Sequence, residues 1–126
     1  MTRGRVSDGH ATERLLEPLS ALGPLEDLPG SEAVLAGLRD VADGVPSVEA
    51  ALVQVMTRRF AEHGVHVSRL PEDAELVLYR RLTDERCAED DVYGRYNALL
   101  EDLVSFLCAL DQRRAVRARL SNGVVP

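Results

Sequence analysis

The chain has no tryptophan, no lysine and no isoleucine, and it carries only two phenylalanines, three tyrosines and two cysteines. With so little aromatic bulk, the core must be filled by Leu, Val and Ala, which dominate an apolar share of 45%. Every one of the 15 basic residues is Arg, and the joint absence of Lys and Ile marks a high-GC coding sequence of actinobacterial type. Cys87 and Cys108 are too few for a disulfide scaffold and too far apart for a thiol redox motif. Both are expected as free thiols, with Cys108 acting as a small hydrophobe on an apolar stretch. No apolar run approaches the roughly 18 residues of a membrane span, and Arg3 and Arg5 are followed by no apolar leader segment. A soluble, cytoplasmic protein with no membrane association is the expectation.

The formal charge of -6 excludes a general nucleic-acid binder, because phosphate contacts need a basic face and an acidic chain is repelled at long range. A helix-turn-helix drawn through residues 31–64 would lack a basic recognition face. The charge is uneven, however. All 21 acids lie at or before Asp111, while Arg113, Arg114, Arg117 and Arg119 cluster near the C-terminus, the end of a helix where the macrodipole favours cations.

What is present is helical periodicity. Val92, Tyr96, Leu99, Leu103, Phe106 and Leu110 recur at alternating spacings of four and three, so Asp91 to about Leu120 reads as one long amphipathic helix. Leu15, Leu16, Leu19 and Leu22 keep helical spacing in a first segment that Pro18 must kink or break. Residues 23–30, with two Pro and two Gly, form a linker whose Leu25 and Leu28 pack inward. Ser31 is placed to cap a second helix that Gly44 and Pro46 stop, and Ser47 to cap a third that runs to about Gly64. Residues 65–70 alternate like a strand but have no mate, and are expected as an extended connector. A fourth helix starts at Pro71, and the polar residues 83–91 turn it into the long helix, which Asp91 caps. Asn122 and Gly123 suit the C-cap.

The expected fold is therefore all-α: a four- to five-helix bundle whose long C-terminal helix lies in an antiparallel hairpin. Residues 1–10 are expected as a flexible N-terminal arm and residues 11–126 as a single helical domain.

Candidate chemistry is sparse. His63 and His66 stand three apart beside Glu62, but neither Cys is near in sequence, and the Glu-x-x-His pattern of helical carboxylate sites is missing because residue 65 is Val65. No metal and no cofactor are expected. Ser68, Ser105 and Ser121 lie in no nucleophile elbow, and no nucleotide loop occurs. Arg58 with Arg59, and Arg80 with Arg81, place one guanidinium of each pair inward, where it needs a protein carboxylate or a ligand.

Two functions follow as expectations. The first is a non-enzymatic interaction protein (adaptor, accessory or regulatory subunit) acting as a homodimer or on a larger protein through the long seam, with Val116 and Leu120 extending its apolar track. The second is a small enzyme or binding protein that holds an anionic metabolite with Arg58, Arg59, Arg80, Arg81, His63 and His66. A pocket lined by Arg without protein carboxylates favours the second, and an uncovered apolar face favours the first.

Overall fold

The computed structural model describes residues 10–85 and 91–121. Among them the fold is all-α: α1 (His10–Leu16), α2 (Ser31–Asp43), α3 (Val48–Gln54), α4 (Thr57–Glu62), α5 (Ala74–Glu85) and α6 (Val92–Ser121). Two short 3-10 turns, Glu17–Leu22 and Leu25–Asp27, carry the chain from α1 to α2. No helix is long and apolar enough to cross a membrane among the described residues. Residues 1–9 of the expected arm, residues 86–90 of the expected turn with Cys87, and Asn122 and Gly123 lie outside the described residues; His10 already belongs to α1, and residues 83–85 continue α5 rather than opening the expected 83–91 turn.

Local signals account for most boundaries. The Ser47 hydroxyl accepts the Ala50 amide at 3.0 Å and so caps α3. Asp91 accepts the Gly94 amide at 2.8 Å at the start of α6. At the end of α4 the Val65 amide reaches back to Phe60 O and the Gly64 amide to Ala61 O, each at 2.9 Å. This is a Schellman closure, and it needs a residue at positive φ, which Gly64 supplies at 82°. The same pair of bonds ends α2, from Val45 to Asp40 O and from Gly44 to Val41 O. Pro18 turns the chain as expected, from α1 into a 3-10 turn.

Three boundaries differ from expectation. Ser31 does not cap α2: Gly30 precedes the helix, and the Ser31 hydroxyl instead donates to Glu26 O at 3.0 Å, pinning the preceding turn. Helix α5 begins at Ala74 rather than Pro71, because Asp73 accepts the Glu75 amide at 3.0 Å and opens the helix there. The expected third helix is two, broken at Met56 with φ -124° and ψ 51°. No glycine or proline marks that break. The separation lets α3 bury Val48, Ala51, Leu52 and Val53 while α4 turns to insert Phe60.

Helix α6 supplies the spine of the core. Leu99, Leu103, Phe106, Leu107 and Leu110 are fully buried against Leu19, Val34, Leu38, Leu52, Phe60, Leu78 and Leu82 of the other elements. Helix α5 packs on α6, with Tyr79 and Tyr96 in an edge-to-face contact at 5.4 Å, a placement compatible with a hairpin. Most of the expected seam is thus covered inside the chain. Cys108, on the opposite side of α6, is exposed, so it does not serve as a small core hydrophobe.

The α2–α3 crossing is set by Gly37. A Cβ at this position would stand 2.2 Å from Glu49 O, so only glycine lets the two backbones approach this closely. In an open helix Gly→Ala stabilises by about 0.8–1 kcal/mol through propensity. At Gly37 the collision reverses the sign: Gly37→Ala is expected to lower the urea-unfolding free energy by about 1–3 kcal/mol, the range for an overpacked core.

Candidate functional site

Helices α4 and α6 meet at a polar junction centred on His63, whose side chain is 1% exposed. Its Nε2 lies 2.9 Å from Asp111 Oδ1, and its Nδ1 lies 3.3 Å from Arg114 Nη1. A guanidinium only donates, so Nδ1 must accept and Nε2–H must donate to the carboxylate. Both ring nitrogens thus have a partner. Asp111 also accepts from Arg59 Nη2 at 2.7 Å, and Arg59 is 3.6 Å from Glu62. Arg114 donates in addition to Glu62 O, one of the terminal carbonyls that α4 leaves without an intrahelical partner. The cluster locks the end of α4 to α6.

The second histidine goes elsewhere. In the connector, Val65 and Val67 are buried and His66 and Ser68 face outward, the period-two alternation of extended chain. Gln54 Nε2 donates to Ser68 O at 3.0 Å and holds the connector to the end of α3. His63 and His66 thus share no ligand position, and no group of three or more His, Cys, Asp or Glu side chains suited to a metal occurs among the described residues.

The arginine pairs divide into an inner and an outer member. Arg59 and Arg81 are half-buried, whereas Arg58 and Arg80 are exposed. Arg81 donates to Ser47 O at 2.8 Å, and Arg80 pairs with Glu72 at 3.0 Å. Arg58 lines a surface cleft of about 280 Å³ together with Thr57, His66 and Arg69. So Arg59 and His63 come together at the junction, Arg58 and His66 at the cleft, and Arg80 and Arg81 at neither.

Sequence reasoning missed Asp111, Arg113 and Arg114, whose partners are remote along the chain. Arg113 Nη1 donates to Leu22 O at 3.0 Å and Pro24 O at 2.6 Å, clamping the 3-10 turn to α6. Two of the four tail arginines are therefore structural clamps, a role beyond the helix dipole. Past them the tail loses its cover: Val116 is 46% and Leu120 76% exposed. Both border a groove of about 460 Å³ whose far wall is formed by Ala21, Leu22 and Leu28.

The tyrosines form a third feature. Tyr93 stacks on Tyr96 at 6.5 Å, and both Tyr93 and Tyr79 are exposed. Partial burial, then the charges of Glu75 and Asp73, raise the Tyr96 phenol above its ordinary pKa.

In comparison with known proteins, no family model, curated protein or solved structure matches the chain.

Removing the Asp111 carboxylate leaves the buried His63 N–H without its acceptor. Asp111→Ala is expected to cost about 1–3 kcal/mol in urea unfolding. A double-mutant cycle with His63→Ala is expected to return a coupling of at least about 0.5 kcal/mol, and additive losses would dissolve the proposed pair.

Proposed function

We propose that this chain is a small non-enzymatic interaction protein, an adaptor or accessory subunit, that acts through the C-terminal turns of α6. The observation that supports this most directly is the contrast along one helix. Leu99, Leu103, Phe106, Leu107 and Leu110 are wholly covered, whereas Val116 and Leu120, which continue the apolar track, stay largely exposed. Burying a Leu or Val is worth about 1.5–3 kcal/mol.

The lack of a reactive constellation points the same way. His63, the one buried titratable side chain among the described residues, is fully engaged with Asp111 and Arg114. The inward arginines, Arg59 and Arg81, already have protein acceptors.

The partner that fits best is a second copy of the chain. Arg117 and Arg119 flank the apolar edge, and no acid follows Asp111, so the tail is a basic segment on a chain whose net charge is -6. The acids include Asp73 and Glu75, which the electrostatics of Tyr96 place beside the first turns of α6. A copy running in the opposite sense brings such acids toward the tail arginines, giving charge complementarity around an apolar centre. The cluster at Leu76, Tyr79 and Tyr93 offers additional apolar contact at that end.

Analytical ultracentrifugation tests this. The unaltered protein is expected to sediment as a dimer at micromolar concentration. Val116→Glu with Leu120→Glu is expected to weaken association by roughly a hundredfold or more, since two buried side chains are lost per copy. Helicity should persist because both positions are exposed in the monomer. An unaltered protein that remains monomeric at high micromolar concentration overturns the dimer.

A further inference from the structure

The cleft that contains Arg58 has a neighbour, and His66 stands in the wall of both. The first, of about 280 Å³, holds Thr57, Arg58 and Arg69, and the other, of about 360 Å³, holds Arg14 and Ser68 beside Leu15 and Val41. Neither has a carboxylate in its wall. On a chain with 21 acids this is a departure. The larger cavity at the start of α2, about 600 Å³, is walled by Glu32, Glu49 and Asp102 against Arg95, and a smaller one pairs Asp40 with Arg81.

The convergence is built by the fold. Arg58 comes from the first turn of α4 and Arg69 from the connector, so two separate elements bring guanidinium groups to one cleft, while Arg14 of α1 lines the neighbouring cleft on the other side of His66. The buried Val65 and Val67, and the bond from Gln54 to Ser68 O, fix the connector so that His66 and Ser68 face outward. Arg58, His66 and Arg69 have no hydrogen bond or ion pair among the described residues. Like charges gathered in this way repel one another, and an anion between them relieves the repulsion. Guanidinium forks match the paired oxygens of carboxylate and phosphate. The second cleft adds an apolar wall, from Ala11, Leu15, Val41 and Ala42, against which the body of an organic molecule can lie. The two volumes together are of ligand size.

We infer that these two clefts form a binding site for a small organic anion, its carboxylate or phosphate head held by Arg58, Arg69 and His66 and its apolar body lying toward Leu15 and Val41. The site is separate from the α6 tail and does not depend on it.

Nitrogen-15 amide NMR and calorimetry at fixed ionic strength test the inference with phenyl phosphate, benzoate and inorganic phosphate as probes. At least one of the two organic probes is expected to give saturable shifts at the amides of Arg58, Val67 and Arg69 together with those of Leu15 and Val41. Inorganic phosphate, lacking an apolar body, should bind more weakly than phenyl phosphate and leave Leu15 unmoved. Preference between phenyl phosphate and benzoate assigns the head group. Arg58→Gln with Arg69→Gln is expected to weaken binding at least about tenfold. Arg117→Gln with Arg119→Gln, which removes the same charge from the tail, should leave it unchanged. Shifts that never saturate, equal losses in both variant pairs, or full affinity in the Arg58 and Arg69 variant overturn the site.

Discussion

The structure depends on cover for the middle of α6. Leu99, Leu103, Phe106, Leu107 and Leu110 lie along one side of a 30-residue helix and reach zero exposure only because other elements fold over them. At about 1.5 Å per residue such a helix is roughly 45 Å long, whereas α2 and α5 have 13 and 12 residues. Cover therefore runs out before the helix does. The buried segment ends at Leu110, and the polar junction follows at once at Asp111.

That junction explains why the transition is abrupt. Asp111, Arg113 and Arg114 reach back to His63, the 3-10 turn and the end of α4, satisfying backbone carbonyls that would otherwise face the edge of the core. Beyond them Val116 and Leu120 are left exposed by the described residues. The protein thus divides α6 into a covered half that defines the fold and an uncovered end available for association. The clefts proposed to hold an anion lie on α1, α4 and the connector, so the two proposed interactions would use different surfaces.

The fold was legible where signals were local. Ser47 and Asp91 cap as their side chains require, and Gly44 and Gly64 close helices because they accept positive φ. The seam was legible as a helix, although its period says nothing about whether its cover is internal or from another chain. The break at Met56 was hidden because no residue there disfavours helix; it follows from what α3 and α4 each bury. Of the site, the residue types at Arg58 and His66 were visible, whereas Arg14 and Arg69 join them only through tertiary structure. Asp111 was invisible as a partner of His63, 48 residues away.

On the proposed arrangement, the inward face of α6 is covered by its own chain up to Leu110 and by another copy beyond Arg114. Amide hydrogen exchange along α6, recorded over a dilution series, tests it most directly. Protection from Leu99 to Leu110 is expected to be high and independent of concentration, while protection at 115–120 is expected to be low in dilute solution and to rise with concentration. Protection at 115–120 that does not change across the series, whether high or low, would contradict the account.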